Sequence, residues 1–85
     1  MKYLVDWTRE ARSDLATIWI RYRTHRNAVT AAQATIDRLL SENPLANGFP
    51  LSEGLYGIHV SPLRAVFEMS SPDASVTVDS VNWLP

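Results

Sequence analysis

Two side chains in the second half of the chain are of types that could do chemistry, His59 and Arg64. Arg64 is the only lysine or arginine after residue 43, and its planar guanidinium is suited to binding a phosphate or a carboxylate. Imidazole exchanges protons near neutral pH, so His59 could act as an acid or a base. Together the two residues could bind an anion and transfer a proton beside it.

The local pattern predicts where these two side chains point. Two strands, Leu55–Ser61 and Leu63–Ser70, are joined by a turn at Ser61-Pro62. Because strand side chains alternate between faces, one face carries the apolar set Tyr56, Ile58, Val60, Leu63, Ala65, Phe67 and Met69. The uncovered face then carries Gly57, His59, Arg64, Val66 and Glu68. Two interpretations stay open there. One is a solvated face on which Arg64 screens Glu68 or a neighbour across the strands, and the other is an anion site.

The preceding residues predict the elements that support this hairpin. Tyr3 and Val5 alternate with Lys2, Leu4 and Asp6 in a short first strand, and Thr8 is a suitable N-cap for a helix. The apolar stripe of that helix consists of Ala11, Leu15, Ile18, Trp19 and Tyr22. After the connection 23–27, a second helix has the stripe Val29, Ala32, Ile36, Leu39 and Leu40. The second helix ends at Asn43, before Pro44.

The rest of the chain completes a predicted α+β fold. Residues 44–54 read as a loop, and Ser75–Val81 reads as the last strand. The predicted order is β-α-α-β-β-β, with an antiparallel helical hairpin packed on a mainly antiparallel sheet. With 85 residues the chain is long enough for one domain, spanning residues 1–85.

Composition excludes several classes of function. The chain has no cysteine, which rules out a disulfide scaffold, a cysteine zinc finger and a thiol nucleophile. No apolar run is long enough for a membrane span and no signal peptide is evident, so we expect a cytoplasmic protein without a membrane partner. The formal net charge of −1 is not that of a non-specific nucleic-acid binder. No motif indicates a cofactor, a metal or a small-molecule substrate.

The aromatic residues suggest further roles. We expect Trp7 and Trp19 to anchor the core between helix and sheet. Trp83 fits two positions equally well, one closing the core and one exposed as a partner contact. His25, between Arg23 and Arg26, reads as a solvated residue of the helix connection.

Several short motifs occur in a fixed order along nearly the whole chain. They are W-x-x-E-A-x-x-D-L-x-x-I-W from Trp7, A-x-x-x-I-D-x-L from Ala32, Asn43-Pro44, Gly48-x-Pro50-Leu51, Gly54-Leu55, L-R-x-V-F from Leu63, and V-x-V-x-x-V from Val76. In this order and spacing the chain resembles the RelE/ParE superfamily of bacterial toxins, which includes plasmid-stabilisation-like proteins. The resemblance implies the same α+β fold.

The resemblance also implies the toxin of a type II toxin–antitoxin module, which inhibits growth and is neutralised by a cognate antitoxin. RelE-like members cleave mRNA on the ribosome, and ParE-like members poison DNA gyrase. In the RelE-like pattern, catalysis uses basic residues on the second strand of the chain, an arginine, and basic or aromatic residues after the last strand. The second predicted strand of this chain is Leu55–Ser61. Here the arginine is retained as Arg64, and the second-strand positions hold Gly57 and His59.

Arg64 and His59 are therefore the catalytic candidates, with Arg64 neutralising phosphate charge and His59 transferring a proton. Three hypotheses remain open at this point. The chain is a toxin acting on translation or on gyrase, a non-toxic binding module with the toxin fold, or a weak ribosome-dependent mRNA endoribonuclease. The expected partners are a cognate antitoxin and either the ribosome with its mRNA or DNA gyrase.

Overall fold

A computed structural model describes residues 2–84 of the chain. The elements, in chain order, are β1 Leu4–Trp7, α1 Arg9–Arg21, α2 Arg26–Glu42, α3 Pro44–Asn47, β2 Phe49–Ser52, β3 Leu55–Val60, β4 Leu63–Ser70 and β5 Ser75–Trp83. One 3-10 turn, Arg23–His25, links α1 to α2. None of the helices in the described part is long and apolar enough to cross a membrane.

Side-chain caps fix where α1 and α3 begin. The hydroxyl of Thr8 accepts a hydrogen bond from the backbone N–H of Ala11 at 3.1 Å, as predicted for the N-cap of α1. Asn43 follows α2 and also caps α3, because its side-chain oxygen accepts from the N–H of Ala46 at 3.3 Å. Pro44 occupies the first turn of α3, where its missing N–H costs nothing.

The strands form one five-stranded sheet in the order β1-β5-β4-β3-β2. The predicted meander of β3, β4 and β5 is confirmed, because each of these neighbours pairs antiparallel. β1 joins at the far side and runs parallel to β5, with Leu4 opposite Ser75 and Trp7 opposite Val78. The sheet is therefore mainly antiparallel with one parallel edge.

The prediction of a loop over residues 44–54 is wrong in two places. Residues 44–47 form α3, and residues 49–52 form β2, which pairs antiparallel with β3. Pro50 masked this strand in the sequence, because proline disfavours interior strands. β2 is an edge strand, where one side of the backbone has no strand beside it and proline is tolerated.

Both helices cover the same face of the sheet, as predicted. The buried core is made of Ala11 and Ile18 from α1, Val29, Ala32, Ile36 and Leu40 from α2, and Ile58, Leu63, Ala65, Phe67, Val76, Val78 and Val81 from the strands. A bulge explains how the last three valines share one face. Val66 lies opposite Ser80 while Phe67 lies opposite Val78, so Asp79 is an extra residue on β5.

The two tryptophans predicted as core anchors behave differently. Trp7 is partly buried against the core, and its indole N–H donates to Oδ1 of Asp37 at 3.1 Å. Trp19 is 41% exposed, so its prediction is wrong. Successive residues of a helix are turned by about 100° around its axis, and the neighbouring Ile18 takes the buried position.

Candidate functional site

The sheet has an open face, opposite the helices, on which His59, Arg64, Val66, Glu68 and Asn82 lie. His59 on β3 is directly opposite Arg64 on β4, and Arg64 is directly opposite Asn82 on β5. Three polar side chains thus form a row across three neighbouring strands, about 10 Å wide at the usual strand spacing. The sequence placed His59 and Arg64 together, and the register adds Asn82.

Arg64 is partly buried in this row. Its Nε atom is shielded from solvent and has no hydrogen-bond partner among residues 2–84. The interpretation that Arg64 pairs with Glu68 is not supported, since the ion pairs of the described chain are Arg12–Asp6 and Arg38–Glu42. Four residues separate Arg64 from Glu68 along β4, roughly 13 Å in an extended strand, which is too far for a salt bridge.

His59 is held from one side by an aromatic ring. The Phe49 ring meets the imidazole edge-on, with 4.8 Å between centroids and 83° between planes. This arrangement is a favourable geometry for two aromatic rings. The imidazole itself remains exposed, so it is accessible to a ligand that arrives at Arg64.

Gly57 is on the open face, as predicted, but it is not exposed. The Phe49 ring lies over it so closely that a Cβ added at Gly57 would come within 2.7 Å of the ring. Phe49 therefore fills the space in which a second basic side chain would sit. Sequence reasoning missed Phe49 because it fell in the predicted loop, although the apolar pair Phe49 and Leu51 around Pro50 was a signal of alternation.

The opposite end of the open face is acidic. Burial raises the pKa of Asp79 from 3.8 to about 6, helped by a side-chain hydrogen bond and charge repulsion from Glu68 and by repulsion from Glu10. Two carboxyl groups this close favour sharing one proton. Sequence reasoning missed this pair, since the bulge that brings Asp79 toward Glu68 is a feature of strand register.

The C-terminal end of β5 is fixed by contacts with Tyr22, the residue that follows α1. Trp83 stacks on Tyr22 with 3.8 Å between ring centroids and 7° between planes, and it is partly buried against the core. His25 is exposed, as predicted, but the centroid of its ring lies 5.4 Å from that of Trp83, with 43° between the ring planes. Of the two positions left open for Trp83, the structure supports the one that closes the core.

A second surface lies between the two long helices, and we call it the hairpin groove. Two adjoining concavities of about 510 and 420 Å³ share the lining residues Arg12, Leu15, Thr30 and Gln33. Trp19 and the 61% exposed Ile20 lie at one end of the groove. The Arg26 guanidinium stacks 3.7 Å from the Trp19 ring and donates to the Trp19 carbonyl at 2.9 Å, which fixes the indole at the rim.

The described residues offer no metal centre. Between Lys2 and Leu84, no three or more His, Asp or Glu side chains come together in a group that could hold an ion. On the open face, Arg64 is a side chain that could bind an anion, and His59 opposite it is one that could transfer a proton.

The fold is that of the RelE and ParE toxins. The chain superposes on a chain of the Mycobacterium tuberculosis toxin–antitoxin complex RelBE2 with a TM-score of 0.81 and 23% identity, over 98% of this chain and 92% of that one. The chromosomal ParDE system of P. aeruginosa gives a TM-score of 0.77 and 18% identity, over 99% and 98%. No protein-family model and no curated protein matches the sequence.

The isolated RelE toxin of E. coli identifies which partner of such complexes the chain resembles. It matches with a TM-score of 0.65 and 21% identity, over 98% of this chain and 85% of that one. The likeness is thus to the toxin chain, and it extends over all the elements described above. The fold predicted from the motifs is confirmed.

Proposed function

We propose that this chain is the toxin of a toxin–antitoxin pair and is held inactive by a cognate antitoxin polypeptide. The observation that carries the proposal is the full-length likeness to the isolated RelE toxin and to the RelBE2 and ParDE systems. Two surfaces that no element of residues 2–84 covers, the hairpin groove and the open face, support it.

The hairpin groove suits an antitoxin helix. Leu15, Trp19 and Ile20 give the groove apolar walls, and an amphipathic helix buries its apolar face in such a groove. A substitution of Ile20→Lys would place a charge in this groove and is expected to weaken docking. Thr24→Lys, at an exposed position in the helix connection, is the matched control.

The open face suits the toxic activity itself. Arg64 supplies a fixed cation whose Nε lacks a partner within residues 2–84, and His59 lies directly across from it. This pairing favours a weak ribosome-dependent endoribonuclease as the second candidate, in which Arg64 binds the phosphate and His59 transfers a proton. Phe49 covers position 57, so a second basic side chain has no space there. Because the nuclease set is reduced in this way, DNA gyrase remains the alternative target.

Induction of this gene alone in a bacterial host tests the proposal. We expect growth to stop, and we expect the cognate antitoxin, supplied on a second plasmid, to restore growth. The Ile20→Lys variant should remain toxic but escape this rescue, while Thr24→Lys is rescued. Continued growth with folded protein accumulating would overturn the proposal and leave a binding module with the toxin fold.

Incorporation of labelled methionine and labelled thymidine separates the targets. An early stop of methionine incorporation indicates translation, and an early stop of thymidine incorporation indicates gyrase. Arg64→Ala should abolish the early stop if Arg64 binds phosphate, whereas the exposed control Arg23→Ala should leave it unchanged. Toxicity that survives Arg64→Ala would show that Arg64 has no part in the activity.

A further inference from the structure

The open face carries opposite charges at its two ends. Arg64 lies at the end near the β3–β4 turn, and Glu68 lies four residues further along β4, on the same face. In an extended strand this separation is about 13 Å. Val66 lies between them, and Phe49 and the 40% exposed Leu51 belong to the edge strand β2, on the far side of β3.

The basic end of this face has no anion within the described chain. No carboxylate of residues 2–84 forms an ion pair with Arg64, and the shielded Nε has no acceptor there. A buried donor without a partner is costly, so an incoming acceptor would be favoured at this position. His59 and Asn82, on either side in the register, would flank that acceptor.

The acidic end likewise has no cation from residues 2–84. Glu68 on β4 lies opposite Thr77 on β5, two residues before Asp79. The charges that act on Asp79 are both acidic, Glu68 and Glu10 at the start of α1. Neither Glu68 nor Asp79 forms an ion pair within that range. A cation placed between these two carboxylates would relieve their repulsion.

This pattern does not match a nucleic-acid strand that runs along β4, although a single phosphate could still bind at Arg64. A sugar–phosphate backbone that reached Arg64 and continued along β4 would bring its next phosphates against Glu68 and Asp79, and like charges at an interface are costly. A polypeptide can carry both signs. An extended segment with residues i and i+4 on one face has the same spacing of about 13 Å as Arg64 and Glu68.

We propose that the open face docks a polypeptide segment with an acidic residue for Arg64 and, four residues away in extended conformation, a basic residue for Glu68 and Asp79. The inference rests on the proposed function, because the segment belongs to the antitoxin. It adds that the antitoxin covers the open face by charge complementarity, separately from the hairpin groove.

Titration of the isotope-labelled protein with defined probes, followed by NMR, tests this docking. The first probe is the acetylated peptide TETVTKT, whose acidic and basic residues share one face when extended. The second, TETVTTK, has the same composition but places the two charges on opposite faces. The third is a short oligouridylate.

We expect TETVTKT to shift the amide signals of Arg64, Val66 and Asn82. TETVTTK should bind roughly fivefold more weakly, which is the effect of losing one exposed ion pair. Glu68→Gln and Arg64→Gln should each weaken the binding of TETVTKT by a similar factor. Glu53→Gln, at an exposed residue before β3, should leave that binding unchanged. The retained amide spectrum of each variant shows that it folds.

The proposal is overturned if the oligouridylate shifts these signals more strongly than TETVTKT, if the two peptides bind alike, or if neither peptide shifts them. These results are independent of toxicity. A chain that arrests growth but fails this titration retains the proposed function and loses the inferred docking, whereas a chain that binds TETVTKT without arresting growth shows the reverse.

Discussion

The ring of Phe49 lies directly over Gly57, so that a Cβ at position 57 would approach the ring to 2.7 Å. The same ring contacts the His59 imidazole edge-on. The edge strand β2 thus covers Gly57, which the sequence predicted on an uncovered face, and it also supports His59, one of the two candidate catalytic residues. The interface between β2 and β3 is therefore part of the candidate site.

Substitution of Gly57→Ala should destabilise the fold by about 1–3 kcal/mol, because the added methyl group displaces the Phe49 ring. Thermal unfolding measures this as a lower Tm. In the background of Phe49→Ala the ring is absent, and Gly57→Ala should then have little effect. Equal losses in both backgrounds would contradict the close approach.

Removal of the Asp14 carboxylate should destabilise the end of β5. Oδ2 of Asp14 accepts a hydrogen bond from the backbone N–H of Val81 at 3.1 Å, beyond the point where β1 stops pairing with this strand. Asp14→Ala leaves that partly buried N–H without an acceptor, which costs about 1–3 kcal/mol in denaturant unfolding. Ser13→Ala, at the exposed preceding residue, should change the free energy of unfolding very little.

Thr8 joins the start of α1 to the bulge of β5. Its hydroxyl accepts from the N–H of Ala11 at 3.1 Å and donates to the carbonyl of Asp79 at 3.2 Å. We expect Thr8→Ala to lower the free energy of unfolding by about 1–2 kcal/mol through loss of the N-cap. Thr8→Ser keeps the hydroxyl and should restore most of that loss; equal destabilisation by both variants would mean that the methyl group matters more.

Stability should depend on pH through Asp79. Its pKa in the folded protein, about 6, lies above the ordinary value of 3.8, so the folded state binds more protons between these values. The contribution of Asp79 therefore stabilises the fold at low pH and is lost as the pH rises through about 6. As the pH rises from 4 to 7, the free energy of unfolding of Asp79→Asn should therefore increase relative to that of the parent. Denaturant unfolding at several pH values across this range measures the difference.

The control for this pH dependence is Glu53→Gln, which removes an exposed carboxylate distant in sequence from the pair. Its stability should follow the parent at every pH. If Asp79→Asn and the parent differ by a constant amount from pH 4 to pH 7, then Asp79 does not carry the shifted proton.

The stack of Tyr22 on Trp83 should couple α1 to the end of β5. Tyr22→Ala, Trp83→Ala and the double variant form a cycle, and we expect a coupling energy of about 0.5–1.5 kcal/mol from thermal unfolding, as is usual for aromatic pairs. A coupling near zero would mean that each ring is held by its other neighbours. His25→Ala should change little, because that ring is exposed.

The apolar spacing in the sequence was sufficient to predict the architecture. The stripe from Ala11 to Tyr22 and the stripe from Val29 to Leu40 indicated the two helices, and alternation from Leu63 to Phe67 indicated β4 and its buried face. These signals are local, since a residue's face is set by the period of its own element. The same alternation was enough to predict that His59 and Arg64 share one face of the sheet.

Local periodicity could not predict what contacts between elements decide. β2 exists because Phe49 and Pro50 pair with Gly57 and Tyr56 of β3, and its own sequence reads as a loop. Trp19 lies outside the core because α1 packs on the sheet through Ile18. The apolar stripe of the helix alone is compatible with either residue in the buried position.

By itself the sequence determined the type of fold and the presence of one cation on an uncovered sheet face. The tertiary structure decided what surrounds that cation. The register across β3, β4 and β5 placed His59 and Asn82 beside Arg64, and the bulge at Asp79 brought a second carboxyl group to Glu68. Register and bulges depend on hydrogen bonds between residues far apart in the chain, and no local pattern in the sequence encodes them fully.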